Sequence, residues 1–415
     1  RVLFRSAVAS GPPRPLFPGL AGRPGPWVAL LVVLAMLAFA ARLAIMVRGG
    51  GLLSIGAYDD GVYYSAADAL LHGRVPYRDF LLIQPPGVLL AALPFAWIGT
   101  IAGDPAGFVV GRIAFMIVGA VSTVLIAVIL RRFGFIAAAV GGAFYAVSHT
   151  AAYTERSILL EPIGTLGILI ALVVLSRPAW RARTGWLLLA GLCLGVACGF
   201  KIWYVVPAAI IVVAAGRGWW RMLAGAALGG ASVYLPFFVG APAAMFRQVV
   251  LDQVGRGEST ATTWQRIHMI VGDYGAVHLG VLSISVNRMT AAISLAVLIA
   301  MALAVTMRGA RLYVLLFVAG VVVLLLAPSF FAHYVALTMP MLALVVGAAA
   351  ARLATWLRMP VLRAGLATVL IGVFVALNTP ALARGIGTRV PDAALQRAAA
   401  SVHGCIMTDD PTILI

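Results

Sequence analysis

The sequence has 415 residues, of which 63% are hydrophobic and only 10% are charged. A water-soluble core cannot bury that much apolar surface, so the composition indicates that a bilayer surrounds most of the chain. The net charge of +17 does not indicate nucleic-acid binding, because the arginines lie in short clusters between apolar runs. The three cysteines lack a metal-binding spacing. We therefore predict an all-α polytopic membrane protein without a nucleic-acid partner.

Apolar segments that can cross a membrane as helices recur from residue 27 onward. We predict about eleven transmembrane helices, at 27–47, 107–130, 135–150, 158–176, 185–199, 203–215, 222–239, 289–307, 312–327, 333–349 and 362–379. Together they form a transmembrane domain over 27–379, after a cytoplasmic segment at 1–26. Residues 380–415 are expected to begin an extracytoplasmic C-terminal region that is cut short, with a first β-strand and turn near 403–410.

Short arginine clusters determine the predicted topology. Five basic connections alternate along the chain, and they are marked by Arg131, Arg177, Arg217, Arg308 and Arg352. Because basic loops remain in the cytoplasm, all five are assigned to that side. The assignment requires the apolar stretch 86–103 to be re-entrant or interfacial, which its prolines and glycines favour. The alternative is a complete crossing that leaves one arginine pair outside.

The extracytoplasmic side then carries nearly all of the acidic residues. Its first large loop, 48–106, is expected to contain juxtamembrane helices, and a second large loop covers 240–288. Ionisable residues on this side include Asp59, Asp60, Glu155, Arg156, Glu161, Lys201, Arg256 and His333. Charged groups at a membrane boundary are costly unless they are solvated, paired or functional, so the cluster indicates a site at this surface.

Two adjacent carboxylates, Asp59 and Asp60, follow the first predicted span. Such neighbours repel each other, so one of them can have a raised pKa, or both can share a hydroxyl donor or a divalent cation such as Mg²⁺ or Mn²⁺. A carboxylate beside a hydroxyl is what glycosyl transfer needs as a general base. The alternative is that an Asp-Asp-Gly turn only caps the helix that follows.

Several motifs occur in an order that resembles a known superfamily. They are the Asp59-Asp60 pair, Gln84-Pro85-Pro86, Arg112, the stretch 153–162, Gly199-Phe200-Lys201 and Phe331-Ala332-His333-Tyr334. This order is similar to that of the GT-C superfamily of polyprenyl-phosphate-sugar-dependent glycosyltransferases, above all the bacterial aminoarabinose transferases and the protein O-mannosyltransferases. The resemblance covers roughly 27–210 and implies a GT-C-type fold. Lys201 is the only lysine, a bias that suggests a GC-rich, actinobacterial genome.

The resemblance also implies roles for individual residues. Asp59 corresponds to the catalytic acidic residue, and Asp60 beside it is expected to share the catalytic role by orienting the acceptor or holding a divalent cation. Lys201 would stabilise the departing polyprenyl phosphate together with Arg156 or Arg256. The alternatives are that Lys201 only extends to the interface from a helix end, and that Arg156 pairs with a neighbouring glutamate.

The remaining candidates would bind the substrates. Gln84 stands where aminoarabinose transferases carry a lysine, and a neutral amide puts their substrate in doubt for this chain. The other substrate-binding candidates are Tyr63, Glu155, Glu161, His333 and Tyr334.

These features predict an inverting glycosyltransferase of the cytoplasmic membrane with its active site on the extracytoplasmic side. The donor would be a polyprenyl-phosphate-linked sugar, and the acceptor a hydroxyl of a glycan, glycolipid or protein, with Asp59 as general base. The alternative is a secondary transporter or lipid flippase. That alternative is disfavoured because the predicted spans are nearly free of charge and the two halves show no internal repeat.

Overall fold

A computed structural model describes residues 24–257, 260–279, 282–389, 392–403 and residue 412. Helices α1 to α9 are Pro24–Arg48, Tyr58–Leu71, Gly87–Ala102, Asp104–Leu130, Phe135–Val147, His149–Glu155, Glu161–Ser176, Pro178–Arg181 and Thr184–Phe200. Helices α10 to α19 are Val205–Ala214, Trp219–Phe238, Pro242–Phe246, Asp252–Val254, Thr263–Val271, Val286–Val305, Arg311–Leu326, Met339–Trp356, Pro360–Arg384 and Asp392–Ala400. The short strands β1 (Val277–Leu279) and β2 (Leu282–Ile284) pair antiparallel. The predicted all-helical architecture is confirmed apart from this hairpin.

Six helices in the described part of the chain are long and apolar enough to cross a membrane, and the number rises to eight if each of two bent helix pairs counts as one span. The predicted spans 158–176 and 185–199 fall on helices of 16 and 17 residues. These are shorter than the ~20 residues that usually cross the hydrocarbon. The membrane-protein fold agrees with the sequence, whereas the total of about eleven spans stays a prediction.

The predicted helix over 333–349 begins later than expected, at Met339. Pro340 lies in its first turn, a position that suits proline because the missing N–H would have no intrahelical partner there. The preceding residues, Ala332–Leu337, form a 3₁₀ turn instead. This turn places His333 and Tyr334 outside the helix.

Helix α2 carries the predicted catalytic pair in its first turn and packs against α3. Helix α3 matches the apolar stretch 86–103, contains Pro94 in its interior and also packs against α4. Its 16 residues are few for a complete crossing. The re-entrant interpretation of this stretch stays a prediction.

Glycines bring α9 and α11 into close contact. A Cβ atom on Gly191 would lie 1.9 Å from the Met222 carbonyl oxygen, and one on Gly195 would lie 2.0 Å from that of Ala226. Small residues at such positions allow helix backbones to approach closely in a membrane, where burial of apolar surface gives little driving force. This contact fixes α9, the helix that ends at Phe200, directly before Lys201.

The loop that leads into α2 is held by the chain that follows α18. Ile55 and Thr388 exchange two backbone hydrogen bonds, of 3.0 and 2.7 Å. Gly387 has a φ of +128°, and a Cβ atom there would lie 2.7 Å from Ser54 Oγ. The loop before α2 is therefore anchored to the segment that follows α18. The β-strand expected near 403–410 lies outside the described residues, except for residue 403 itself.

Candidate active site

A cavity of about 510 Å³ opens beside the first turn of α2. Its wall consists of the start of α2, the extended stretch 81–84, the turn around His333, and the side chains of Tyr153 and Arg256. This volume lies within the range of about 300–1,000 Å³ that is typical of small-molecule sites. Distant parts of the sequence thus meet at one end of the helical bundle.

Asp59 lies in this wall, with 39% of its side chain exposed. Its Oδ2 atom is 3.9 Å from Nε2 of His333. Burial raises the pKa of the Asp59 carboxyl above its ordinary value, and the nearby Glu161 carboxylate raises it further, while Lys201 and Arg256 oppose this. A carboxylate with a raised pKa is a stronger base than a free one.

Lys201 forms a buried ion pair with Glu161, with 2.5 Å between Nζ and Oε1. Lys201 directly follows the end of α9 at Phe200, and its extended backbone directs the chain into a 3₁₀ turn. Glu161 lies in the first turn of α7. The Lys201 ammonium also lies 3.8 Å from the ring centroid of Tyr334. Both charges act on the Asp59 carboxyl, so the structure brings these sequence-distant candidates to one place.

The 3₁₀ turn Ala332–Leu337 adds aromatic and cationic groups to the wall. Nη1 of Arg256 donates a hydrogen bond of 3.0 Å to the Tyr334 hydroxyl. Burial lowers the pKa of His333 to about 4, and the positive charges of Lys201 and Arg256 contribute to the lowering. His333 is therefore neutral near pH 7. Burial and the Asp59 carboxylate hold the pKa of Tyr63 well above its usual range, so its hydroxyl remains a hydrogen-bond donor.

Gln84 lies in the stretch 81–84, which two glutamines of the second large loop hold in place. Oε1 of Gln248 accepts a hydrogen bond of 2.9 Å from the Leu82 N–H, and Nε2 of Gln253 donates to the Ile83 carbonyl. The Tyr77 hydroxyl donates to the Gln84 carbonyl at 2.7 Å. The first part of the 240–288 loop thus supports the cavity wall, a position that the sequence did not indicate.

Asp60 does not line the cavity, and its predicted catalytic role is not supported. The side chain is fully buried, and its Oδ2 atom accepts hydrogen bonds from Nε and Nη2 of Arg112 at 2.9 and 2.6 Å. The Ser157 hydroxyl donates to the same oxygen. Successive helical residues point in different directions, so Asp59 faces the cavity while Asp60 faces the protein interior. The expected sharing of one cation by the pair therefore does not fit.

Glu155 and Arg156 are also held away from the cavity. Glu155 is buried and accepts hydrogen bonds from the Arg42 guanidinium and, at 2.7 Å, from the Tyr145 hydroxyl. Arg156 donates to the backbone carbonyls of Gly56 (2.6 Å) and Tyr153. Their predicted substrate contacts are thus replaced by internal ones, and the Arg156 contact fixes the loop before Asp59.

The described residues contain no group of three or more His, Cys, Asp or Glu side chains arranged to hold a metal ion. Asp59 is the only carboxylate among the described residues of the cavity wall. Mg²⁺ and related cations prefer several oxygen ligands, so the protein side chains alone provide a poor fit for such an ion.

Several residues that build the site are not among those predicted from the sequence. Arg42 lies within the first apolar span, and a charge at that position is itself a signal of a buried partner. Tyr153 and Phe331 line the cavity, yet aromatic residues at an interface are too common to be distinguished by pattern alone. Ser157 gave no signal, because a lone serine near a helix end has many roles.

Residues 87–245 match the family model described as dolichyl-phosphate-mannose-protein mannosyltransferase. The match includes the positions of Arg112, Glu161 and Lys201 but not that of Asp59. No curated protein sequence matches the chain significantly.

Solved structures share the fold at low sequence identity. ArnT from Cupriavidus metallidurans bound to undecaprenyl phosphate has a TM-score of 0.60 and 17% identity over 85% of this chain and 64% of its own. The oligosaccharyltransferase of Archaeoglobus fulgidus tethered with an acceptor peptide has a TM-score of 0.59 and 10% identity over 92% of this chain and 58% of its own. The archaeal oligosaccharyltransferase AglB from Archaeoglobus fulgidus, in complex with an inhibitory peptide and a dolichol-phosphate, has a TM-score of 0.55 and 12% identity over 91% of this chain and 58% of its own. The chain thus spans about two thirds or less of the length of these proteins.

The predicted GT-C-type fold is confirmed by these matches. The expected actinobacterial origin stays a prediction.

Proposed function

We propose that the chain is a membrane glycosyltransferase that moves a sugar from a polyprenyl-phosphate donor to an acceptor hydroxyl at the extracytoplasmic face. The observation that carries this proposal is the position of Asp59, a partly exposed carboxylate in a cavity whose surroundings include Lys201 and Arg256. A base for the acceptor and positive charge for a phosphate leaving group thus lie together. The similarity of the fold to ArnT, solved with undecaprenyl phosphate, supports a lipid-phosphate donor.

The cavity wall suits a donor with an apolar tail. Leu81 and Phe331 line it with 69% and 49% of their surfaces exposed. In a bilayer such side chains lie against lipid, so a polyprenyl chain can approach the cavity sideways without crossing water. The phosphate would then lie near Arg256, whose planar guanidinium suits bidentate contact with phosphate oxygens.

The proposed reaction is a single inverting displacement. The Asp59 carboxylate takes the proton of the acceptor hydroxyl while that oxygen forms a bond to the anomeric carbon. The bond between the anomeric carbon and the phosphate oxygen breaks on the opposite face, and the polyprenyl phosphate leaves with the electron pair. Arg256 and the field of Lys201 stabilise the charge that develops on the phosphate. Gln84 and the Tyr63 hydroxyl are placed to bind sugar or acceptor hydroxyls.

A divalent cation, Mg²⁺ or Mn²⁺, would have Asp59 as its only carboxylate ligand from the described cavity wall. That residue is also the proposed base, so the protein side chains do not fit such an ion well, and no step of the proposal passes through it. The acceptor is a glycan, a glycolipid or a protein hydroxyl.

The experiment that tests the function class uses the purified chain in liposomes with radiolabelled polyprenyl-phosphate sugars and a membrane acceptor fraction. Covalent transfer of the label to an acceptor is the expected result. Movement of the intact donor between leaflets without transfer would instead support the transporter or flippase alternative.

A further inference from the structure

The carboxylates around the cavity are neutralised by protein cations. Glu161 is paired with Lys201, and Asp60 is paired with Arg112. Glu155, which is not part of the cavity wall, is paired with Arg42. Asp59 is the exception among the described residues of the wall, because its neighbour at 3.9 Å is a histidine that burial keeps neutral near pH 7.

Three of the aromatic rings that line the cavity each face a protein cation. The Lys201 ammonium lies 3.8 Å from the ring centroid of Tyr334. The guanidinium carbon of Arg156 lies 4.4 Å from that of Tyr153. A third contact joins Arg256 to the Phe331 ring at 5.9 Å. The negative faces of these rings, which could otherwise bind a ligand ammonium, already face a positive charge.

We propose that this site accepts a donor whose sugar is uncharged and discriminates against one whose sugar carries an ammonium group. The inference rests on the proposed function and defines the class of its substrate. An ammonium in this cavity would lose part of its hydration and meet Arg256, the cationic side chain of the described wall. Its one available counter-charge in the described wall is Asp59.

Pairing with Asp59 would also impair the reaction. An ammonium beside that carboxylate lowers its pKa and so weakens it as the base that must take the acceptor proton. An uncharged sugar leaves the carboxylate available. The Gln84 amide supplies both a donor and an acceptor of hydrogen bonds, which matches the hydroxyl groups of a neutral sugar.

The test measures equilibrium binding, so it needs no acceptor. The purified protein in lipid nanodiscs is given radiolabelled polyprenyl-phosphate donors that differ by one substitution, a sugar hydroxyl in one and an amino group in the other. At about pH 6.5, where an aliphatic amine is protonated, we expect the neutral donor to bind at least about tenfold more tightly. The difference should shrink as the pH rises and the amine loses its proton.

Two matched variants test whether charge, and not the shape of the sugar, determines the binding ratio of the two donors. Gln84→Glu places a carboxylate in the wall and should shift the binding ratio toward the amino donor by several fold. Gln396→Glu, on the exposed side of α19, adds the same charge elsewhere and should leave the ratio unchanged. Equal or tighter wild-type binding of the amino donor would overturn the inference while preserving the proposed function. If neither donor binds, the proposed function falls and the inference falls with it.

Discussion

Arg112 binds Asp60 through two nitrogens on one carboxylate oxygen, the shorter contact being 2.6 Å. Asp59, the residue before, faces the cavity instead. The ion pair therefore separates two adjacent carboxylates: Asp60 anchors α2 to α4, and Asp59 is exposed to the cavity. Arg112 also donates hydrogen bonds to the carbonyls of Leu52 and Ser54, which fixes the loop that enters α2.

Loss of this pair should destabilise the protein. Asp60→Leu leaves the Arg112 guanidinium buried without its carboxylate, which costs about 3–5 kcal/mol. Thermal unfolding in detergent should show a clearly lower melting temperature. The double variant Asp60→Leu/Arg112→Met should recover part of the loss, since no uncompensated charge remains. Arg247→Met, which removes an exposed pair with Asp252, should leave the melting temperature nearly unchanged. Equal melting temperatures for all three variants would contradict this account.

The acid limb of the pH–rate profile should depend on Lys201. Asp59 must be deprotonated to act as a base, so the rate falls as the pH drops through its pKa, which lies above the ordinary value. Lys201 lowers that pKa and Glu161 raises it. Lys201→Met should therefore move the acid limb to higher pH, and Glu161→Gln should move it to lower pH. The readout is kcat/KM as a function of pH, and the opposite order of shifts would refute the assignment of Asp59.

Substitution of Gln248 or Gln253, which hold the stretch 81–84 in place, should affect donor binding more than the rate of sugar transfer. Gln248→Ala removes a hydrogen bond worth about 1 kcal/mol, so the KM for the donor should rise by about fivefold with a smaller change in kcat. Gln253→Ala should act in the same way, because it releases the Ile83 carbonyl. Gln396→Ala, on exposed α19, is the control. A fall in kcat at constant KM would argue against a positioning role for this wall.

Gly387 should be required for activity although it lies far from Asp59 in sequence. A Cβ atom there would meet Ser54 Oγ at 2.7 Å and the Gly49 carbonyl oxygen at 2.8 Å, at a φ that favours glycine. Gly387→Ala should therefore displace the loop before α2 and lower the transfer rate. Gly365→Ala on α18 has no heavy atom within 4 Å of the new Cβ and should be silent. Equal activities of the two variants would show that the loop tolerates the displacement.

Much of the site could be predicted because its charged residue types are rare in this sequence. Carboxylates are scarce in this chain, so Asp59 and Glu161 stand out, and Lys201 is the only lysine among many arginines. The arginine clusters then predicted that all three lie on one side of the membrane. The structure brings the three residues together, since Lys201 and Glu161 both act on the Asp59 carboxyl, while the membrane side stays a prediction.

The other features of the site depend on the orientation of side chains and on contacts between distant residues, which the sequence does not show. Asp59 and Asp60 have the same chemistry in the sequence, and only the rotation of α2 separates a cavity residue from an ion-pair residue. The pairing of Arg42 with Glu155 joins positions 113 residues apart. The start of α17 was misplaced because the apolar run continues through residues 332–337, which nevertheless form a 3₁₀ turn.

The most direct test compares Asp59→Asn with Asp68→Asn under single-turnover conditions at saturating donor. Asp68 is on the same helix, but its carboxylate pairs with His72 at the surface. Asp59→Asn should bind the donor within a few fold of the wild type yet transfer sugar about 10²–10⁴ times more slowly, as expected for loss of a general base. Asp68→Asn should transfer at the wild-type rate. A transfer rate for Asp59→Asn within a few fold of the wild type would contradict the assignment of Asp59 as the catalytic base.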